Sequence, residues 1–379
     1  MGEGPRLLVV GTSNSVATSG YVKALVDDPG FDSVHTACLG MCPSDLYAYR
    51  RPSFDPQDFD IALLDFACND GALLGGRMTD EARIADAVGW AVSELSAAGC
   101  LPVLVILPME NLRPRGGAIR ALYRDLAKRH ALPFLDGYDF LNRLAGREAP
   151  PFRLFRDNMH LEPAVAAVLG RRLAGTLPQA WAAAQPGPME WENGARLAFL
   201  ELARAAEGPV RVTTRQTALI EAPVVLMEGE GTLRMRVEEG WEVISVVADF
   251  TLCRGILGVS GTEETRIFLS LKDGGTREGK PTLGIWPLAR GIGPQDGVVR
   301  LDLFRDGPVE TNASRKSSPL RPDEQPSLAL AGFVIRRKPE LLRMRRFLPK
   351  AMDLTALIPD ESLVGERDAL AGGRPERAS

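Results

Sequence analysis

A serine that could act as a nucleophile lies near the N-terminus, directly after an apolar run. Residues 7–10 form that run, and Gly11-Thr12-Ser13 follows it. A continuous apolar run that ends at glycine is typical of a strand buried on both faces of a parallel α/β sheet. Because such sheets bind ligands at the carboxyl ends of their strands, we expect Ser13 at the binding edge.

A serine hydroxyl needs a base, usually histidine, and the base needs a group that fixes its tautomer. We expect His35 inside a strand as a core residue, and His130 at the end of a helix, where it would interact with the helix dipole. His160 differs, because Asp157 precedes it by three residues and its carboxylate can fold back onto the imidazole. The competing interpretation of this pair is a helix-capping acid beside a surface histidine.

Acyl transfer also needs hydrogen-bond donors for the oxyanion that forms in the transition state. Gly40 ends the second predicted strand, where the missing Cβ lets its backbone N–H approach a ligand. Asn69 follows the third predicted strand and can offer its side-chain amide. Taken singly, Gly40 is better explained as a turn glycine, and Asn69 as part of an Asx turn with Asp70.

In chain order, these blocks resemble the SGNH (GDSL-type) hydrolase family, which is named for its Ser, Gly, Asn and His. The resemblance covers the N-terminal half of the chain. It implies that Ser13 is the nucleophile, His160 the base and Asp157 the acid that orients it. It also implies an oxyanion hole formed by the backbone N–H groups of Ser13 and Gly40 and by Nδ2 of Asn69, without a cofactor or a metal.

The sequence departs from the family pattern at three positions. The family's Gly-Asp-Ser contains Thr12 here, the Leu that follows it is Asn14, and the Gly of Gly-x-Asn-Asp is Ala67. None of these changes removes a member of the triad, because the family takes its orienting acid from the Asp-x-x-His block. Ala67 is less permissive than glycine where a positive φ is required.

Strand and helix patterns alternate through the first half of the chain. The predicted strands are 7–10, 33–39, 60–67, 101–107 and 132–135, and the predicted helices are 16–26, 79–98, 114–130 and 163–177, with Thr79 as an N-cap. This alternation predicts an α/β fold with a parallel sheet and helices on both faces, which is the three-layer α/β/α arrangement that the resemblance implies.

The character of the sequence changes at residues 185–188, which we interpret as a linker between domains. Beyond it, apolar residues alternate with polar ones, as at Leu233, Met235 and Val237, and Gly-rich turns separate the runs. This pattern predicts a β-sandwich-like second domain. The predicted domains are therefore a catalytic domain at 1–184, a β-rich accessory domain at 185–339, with glycan binding as one interpretation, and a basic helix with a flexible tail at 340–379.

Composition excludes some classes of function. A formal net charge of -4 and a pI of about 5.7 argue against nucleic-acid binding. The sequence contains no apolar segment of membrane-spanning length and no N-terminal secretory pattern, so we expect a cytoplasmic protein. The five cysteines form an odd set that suits a reducing compartment. One alternative is a zinc site made of Cys38, Cys42, Cys68 and a histidine, but the step from Cys38 to Cys42 is at the edge of ligand spacings, and burial as small apolar residues explains Cys38 and Cys68 better.

These features predict a serine esterase that hydrolyses small acyl esters, with acetyl groups on carbohydrate as the implied substrate. An O-acyltransferase that passes the acyl group to a glycan is an alternative with the same chemistry. A non-catalytic glycan-binding protein is a second alternative, suggested by Thr12 and Ala67. Trp241 and Trp286 are candidates for stacking on sugar rings, with core packing as the competing interpretation of each. The sequence predicts no oligomeric state.

Overall fold

The computed structural model describes residues 4–16, 18, 20–112, 117–146, 150–262, 264–271, 280–312, 320 and 323–372. In the first half of the chain, strands and helices alternate. The strands are β1 (Arg6–Gly11), β2 (Ser33–Thr36), β3 (Ile61–Asp65), β4 (Leu101–Ile106), β5 (Pro133–Asp136), and the hairpin pair β6 (Phe155–Asp157) and β7 (His160–Leu161). The helices are α1 (Ser13–Val16), α2 (Tyr21–Val26), α3 (Leu46–Arg50), α4 (Ala67–Gly75), α5 (Glu81–Ala97), α6 (Gly117–His130), α7 (Gly137–Ala145) and α8 (Pro163–Ala182).

The second half of the chain is mainly strand. Its elements are β8 (Gly187–Glu201), α9 (Leu202–Ala205), β9 (Arg211–Gln216), β10 (Glu221–Glu228), β11 (Gly231–Arg236), β12 (Trp241–Asp249), β13 (Ile256–Ser260), β14 (Ile267–Ser270), β15 (Leu283–Ile292), β16 (Val298–Phe304), β17 (Thr311–Asn312) and β18 (Ser327–Arg346). A short strand, β19 (Met352–Asp353), and a helix, α10 (Asp360–Gly372), follow. No helix in the described part of the chain is long and apolar enough to cross a membrane.

The first domain contains a parallel sheet in the order β19-β5-β4-β3-β1-β2. Strand β1 is buried on both faces. Leu8 and Val10 pack on one side with α3 and α5, whereas Leu7 and Val9 pack on the other with α2 and α8. The predicted α/β fold with a parallel sheet is therefore confirmed, and the carboxyl end of β1 leads directly into α1.

The second domain is a sandwich of two sheets. One has the order β15-β12-β18-β10-β9, with β8 also paired to β18, and the other has the order β11-β16-β13-β14-β17. Their inner faces share one apolar core, to which Met235, Val246 and Leu301 contribute. The opposite face of the first sheet packs on α3 and α5 of the first domain, with Ile244 and Val247 in that contact. Strand β12 is therefore buried on both faces.

A close fit between the domains occurs at Gly89, in the middle of α5. The indole of Trp191 from β8 lies so near that a Cβ on Gly89 would be 1.8 Å from it. Any larger residue at this position would displace the tryptophan, which also contacts the ring of His130 edge-on, with 5.0 Å between the ring centroids. Residue 89 has to be glycine because of this contact between the two domains.

The predicted basic helix at residues 340–357 is wrong. Strand β18 continues to Arg346, with Leu342 and Met344 buried and Arg343 and Arg345 exposed. This period of two fits a strand paired with β8. The segment after β18 returns to the first domain, where β19 joins the parallel sheet beside β5 and Leu363 of α10 packs on its core. Of the range 340–379 predicted as basic helix and flexible tail, Asp360–Gly372 form α10, and residues 373–379 lie outside the described residues.

Local differences from the predicted elements have simple causes. Helix α5 begins at Glu81 with Asp80 as its N-cap, because the Asp80 carboxylate accepts a hydrogen bond from the Arg83 amide; Thr79 is not the cap. The segment after β3 is helical from Ala67 onward, where a turn was predicted. The predicted linker at residues 185–188 already includes the start of β8.

Candidate active site

Three side chains form a hydrogen-bonded chain at the carboxyl edge of the parallel sheet. Oγ of Ser13 lies 2.8 Å from Nε2 of His160. Nδ1 of the same imidazole lies 2.7 and 2.8 Å from the two carboxylate oxygens of Asp157. Because an ionised carboxylate only accepts hydrogen bonds, Nδ1 carries the proton and Nε2 faces the serine hydroxyl as an acceptor. This is the arrangement that a serine nucleophile and its base require.

The carboxylate of Asp157 is held in its charged form by its neighbours. Partial burial opposes ionisation, but the backbone amide of Met159 and the imidazole of His160 donate hydrogen bonds to it and keep its pKa below the usual value. Its Oδ1 accepts from the Met159 and His160 amides at 2.9 and 3.0 Å. Asp157 and His160 therefore lie on the same tight turn, between β6 and β7.

The nucleophile turn is built on a glycine and a buried carboxylate. Ser13 opens the single turn α1, so its backbone N–H has no intrahelical acceptor. A Cβ on Gly11 would lie 2.1 Å from Oγ of Ser15, which excludes larger residues there. Ser15 and Tyr21 both donate hydrogen bonds to Oδ2 of Asp65, at 2.7 and 3.1 Å, beneath the turn.

Asn14 connects the nucleophile turn to the turn that carries the base. Its Nδ2 donates to the carbonyl of Met159 at 2.8 Å, and its Oδ1 accepts from the amide of Leu161 at 3.4 Å. The two hydrogen bonds flank His160 on either side in the chain. This role of Asn14 was not predicted from the sequence. The fact that Asn14 replaces the leucine of the family was the feature that could have suggested it.

The two predicted oxyanion donors outside α1 lie at the same edge. An ideal Cβ on Gly40 would be 3.9 Å from Cβ of Ser13, so the Gly40 backbone borders the nucleophile. Asn69 lies in the first turn of α4 and is buried, and its Oδ1 has no hydrogen-bond partner. Ala67 has a helical φ, not a positive one, so the glycine found in the family is not needed here.

Asp70, the neighbour of Asn69, fixes the loop that follows Gly40. Its Oδ1 accepts from the amide of Ser44 at 2.9 Å, and its Oδ2 accepts from the hydroxyl of Tyr123 at 2.6 Å. Burial raises the pKa of Asp70 to about 7, while these hydrogen bonds act in the opposite direction. The loop from Gly40 to Asp45 is thereby attached to the start of α4, which carries Asn69.

The second domain holds the other end of this loop. Ser245 of β12 donates a hydrogen bond to Oδ2 of Asp45, and the same oxygen lies 3.2 Å from Nη2 of Arg83. Arg83 also donates to Oγ of Ser245 at 2.8 Å and to the carbonyl of Leu288 at 2.9 Å. This buried ion pair therefore links the loop from Gly40 to Asp45, α5 and the sandwich.

The other two histidines do not approach the site. His35 lies in β2 and His130 ends α6, as predicted, but the predicted surroundings of each are wrong. His35 is exposed on the edge strand β2 and packs beside Phe59, with 5.5 Å between the ring centroids. His130 is buried, neither ring nitrogen has a hydrogen-bond partner, and burial lowers its pKa to about 4. An uncharged imidazole does not stabilise the helix dipole.

The thiols show no sign of the alternative zinc site. Cys38, Cys42 and Cys68 are buried and free, and burial raises the pKa of each, to about 12 for Cys38. Throughout the described ranges, no group of three or more His, Cys, Asp or Glu side chains is placed to hold a metal ion. Cys68 instead donates to the Met159 carbonyl at 3.5 Å, beside the base.

The two tryptophans considered for sugar stacking belong to the sandwich core. Trp241 is 8% exposed, and the guanidinium of Arg337 lies 5.3 Å above its ring. Trp286 is partly buried and packs against the same core, and its Nε1 is buried. Neither ring forms an open platform for a sugar.

No protein-family model matches the sequence, and no curated protein matches it by sequence. The structure is similar to the crystal structure of a two-domain esterase (CEX) active on acetylated mannans, co-crystallized with mannopentaose. The TM-score is 0.60 at 14% sequence identity, over 89% of this chain and 92% of that chain. The acetyl xylan esterase AlAXEase matches with a TM-score of 0.37 at 16% identity, over 47% of this chain and 98% of that one. Over both of its domains the chain therefore has the fold of that two-domain esterase, with an α/β domain built on a parallel sheet followed by a β-rich domain.

Proposed function

We propose that this protein is a serine esterase that removes small acyl groups, in the first place acetyl groups, from a carbohydrate. The observation that carries the proposal is the continuous hydrogen-bonded chain from Ser13 through His160 to Asp157. Binding alone does not require a histidine whose tautomer is fixed by Asp157 and whose Nε2 lies 2.8 Å from the partly exposed hydroxyl of Ser13. Neither Thr12 nor Ala67 disturbs this chain.

The proposed reaction proceeds through an acyl-enzyme. His160 Nε2 takes the proton of Ser13 as Oγ attacks the ester carbonyl carbon. The resulting oxyanion binds the backbone N–H groups of Ser13 and Gly40 and the side-chain amide of Asn69. His160 then returns the proton to the departing sugar oxygen, which leaves acetyl-Ser13. A water molecule, deprotonated by the same imidazole, hydrolyses this ester and releases acetate.

The carbohydrate part of the proposal comes from the two-domain relative, which is described as active on acetylated mannans. That likeness extends over both domains of this chain, so the sandwich has a counterpart in an esterase that acts on a polysaccharide.

The five cysteines are all free thiols, which supports the proposal of a reducing, cytoplasmic compartment.

The test combines active-site labelling with acetate release. A fluorophosphonate probe is expected to label the wild type at Ser13, and acetylated manno- or xylo-oligosaccharides are expected to release acetate. Ser13→Ala should abolish labelling and lower turnover by at least about 10³-fold. Ser33→Ala, a change at an exposed serine of β2, is the matched control and should behave like the wild type.

The outcomes separate the alternatives. Absence of an adduct on Ser13, with unchanged hydrolysis by Ser13→Ala, would support a non-catalytic binding protein. Faster donor consumption when an unacetylated oligosaccharide is added, with acetylated sugar as the product, would instead identify an O-acyltransferase. Acetate release that does not change with added sugar supports hydrolysis.

A further inference from the structure

A cavity of about 560 Å³ lies between the two domains. Its walls come from the end of α3 on one side and from β8, α9 and β10 on the other, and none of the proposed catalytic residues lines it. Cavities of roughly 300–1,000 Å³ at domain interfaces are frequent small-molecule sites. Tyr49 and Phe199 form an aromatic part of the wall, with ring centroids 4.8 Å apart and an edge-on geometry.

Arg50, the last residue of α3, brings a positive charge to this cavity, and no carboxylate in the described part of the chain forms an ion pair with it. Its Nε is buried and has no hydrogen-bond partner. The ionisable groups that face the guanidinium are Tyr49, Cys38 and Cys42, and none of them is a carboxylate. Burial raises the pKa of Tyr49 and of Cys38 to about 12, and that of Cys42 also rises, so all three are uncharged near neutral pH.

A partly buried cation without a partner is unfavourable, because burial removes its hydration and nothing replaces it. The effect is visible in Arg50 itself, since burial lowers its pKa from the ordinary arginine value. The exposed surface nearby offers other positions for an arginine at no such cost. An anionic group bound in the cavity would supply the missing partner for this charge.

The other charged residues of the cavity limit what can bind. Arg204 pairs with Glu201 at 3.3 Å, and Arg236 pairs with Glu207 at 3.0 Å. Glu201 therefore already has a partner, and Glu221 is exposed at the rim. Because Arg204 and Arg236 are already paired, Arg50 is the guanidinium of the described lining that is left without a carboxylate, and one carboxylate group on a ligand would match it.

We propose that the interdomain cavity binds a compact ligand with one carboxylate group, whose charge pairs with Arg50 while its body lies against Tyr49 and Phe199. Arginine presents a planar fork of donors that matches a carboxylate. This site is separate from the serine chemistry and does not depend on it. A sugar acid is the member of this class that would suit a protein acting on carbohydrate.

The experiment measures binding to the Ser13→Ala protein by titration calorimetry, so that turnover cannot contribute to the signal. Sodium D-glucuronate and sodium benzoate are the carboxylate probes, D-glucose is the neutral probe, and inorganic phosphate is the competing anion. We expect saturable binding of at least one carboxylate. Arg50→Met should weaken it at least about tenfold. Arg129→Met, a change at an exposed arginine of α6 outside this lining, is the matched control and should retain binding.

A second readout needs no ligand. If Arg50 is kept for binding, then Arg50→Met should leave the thermal midpoint of the ligand-free protein unchanged or raised, because it removes an uncompensated charge. Arg50→Lys keeps the charge but loses the fork, and should fold while binding more weakly. The proposal is wrong if neither carboxylate binds, if glucose or phosphate binds as tightly, or if Arg50→Met lowers the midpoint.

Discussion

On one side of Ser13 lies the hairpin that carries Asp157 and His160, and on the other side lies the loop that begins at Gly40. The hairpin is held by contacts within the first domain, namely the amide of Asn14 and the thiol of Cys68, both on the Met159 carbonyl. The loop is held at one point by Asp70 and at another by Ser245, which belongs to the sandwich.

The two sides of Ser13 are therefore held by different domains: the hairpin by the first domain, and the loop by both domains. The residues proposed to transfer protons are held by the first domain alone. The loop that carries Gly40, a proposed oxyanion donor, also depends on a contact with the second domain, which the resemblance did not suggest. Variants on the two sides should therefore differ in how strongly they respond to changes at the domain interface.

The largest effect among these variants is expected for Asn69→Ala. Removal of one oxyanion donor commonly lowers kcat by about 10²–10³-fold. KM should change little, because the interaction strengthens only in the transition state. The measurement is the steady-state kinetics of acetate release. Unaltered kcat would exclude Asn69 from the oxyanion hole and leave the donors to Ser13 and Gly40.

On the base side, Asn14→Ala removes both hydrogen bonds that flank His160. We expect kcat to fall by about 10–100-fold through misplacement of the imidazole, with the fold intact. Asn14→Leu, which installs the residue that the family has, tests whether packing alone is enough. Asn14→Asp can still accept from Leu161 but cannot donate to Met159, so it should recover part of the loss. Equal kcat in all four proteins would contradict a positioning role.

A smaller effect is expected for Ser245→Ala, which acts from the second domain on the loop from Gly40 to Asp45. Arg83 still contacts Asp45 in this variant, so the loss is limited. Coupling of about 0.5–1 kcal/mol corresponds to roughly a two- to fivefold decrease in kcat. In combination with Asn14→Ala the effects should be additive, because the two residues hold different sides of Ser13. If the two effects on kcat are not additive, then the hairpin and the loop are energetically coupled.

The two sides also differ in their expected response to pH. The pKa of Asp70 is raised to about 7, so the folded protein binds more protons than the unfolded chain between about pH 4 and 7. Its contribution to stability is present at low pH and is lost as the pH rises through that window. For Asp157, whose pKa is lowered, the contribution is present above the ordinary carboxyl value and is lost as the pH falls below it.

We therefore expect Asp70→Asn to reduce the dependence of stability on pH. The measurement is the urea midpoint at about pH 5 and about pH 8 for the wild type and the variant. In the wild type, Asp70 raises the urea midpoint at about pH 5 relative to the midpoint at about pH 8. The midpoint at about pH 5 minus the midpoint at about pH 8 should therefore be smaller in Asp70→Asn than in the wild type. An identical difference in both proteins would show that Asp70 does not titrate in this range.

The sequence was informative where the determinants are local. Gly11 to Ser13 and Asp157 to His160 are short segments, and the local pattern is enough to place the first after a strand and the second before a helix. Gly40 and Asn69 were located because they follow predicted strands, even though Asn69 proved to lie in a helix. The β-sandwich followed from alternation, as at Met235 and Val237, both of which are buried.

The remaining features depend on contacts between distant segments, which pattern and propensity do not contain. The hydrogen bonds of Asn14 span 145 and 147 positions, and the Ser245–Asp45 contact spans 200. The basic helix was predicted because the arginines of residues 343–346 outweighed the alternation of Leu342 and Met344. The burial of His130 results from its contact with Trp191, which lies in the other domain.

The return of the C-terminal segment to the parallel sheet has a consequence for how the protein is made. Strand β19 occupies the edge next to β5, and Thr355 just after it donates its hydroxyl to the Asp136 backbone carbonyl and accepts from the Asp136 amide. During translation, β19 is made after all the strands of the sandwich. The parallel sheet that carries Ser13 can therefore be completed only after the sandwich has left the ribosome. A chain that stopped after residue 184 would lack β19, so its parallel sheet would have one strand fewer and the edge of β5 would be uncovered.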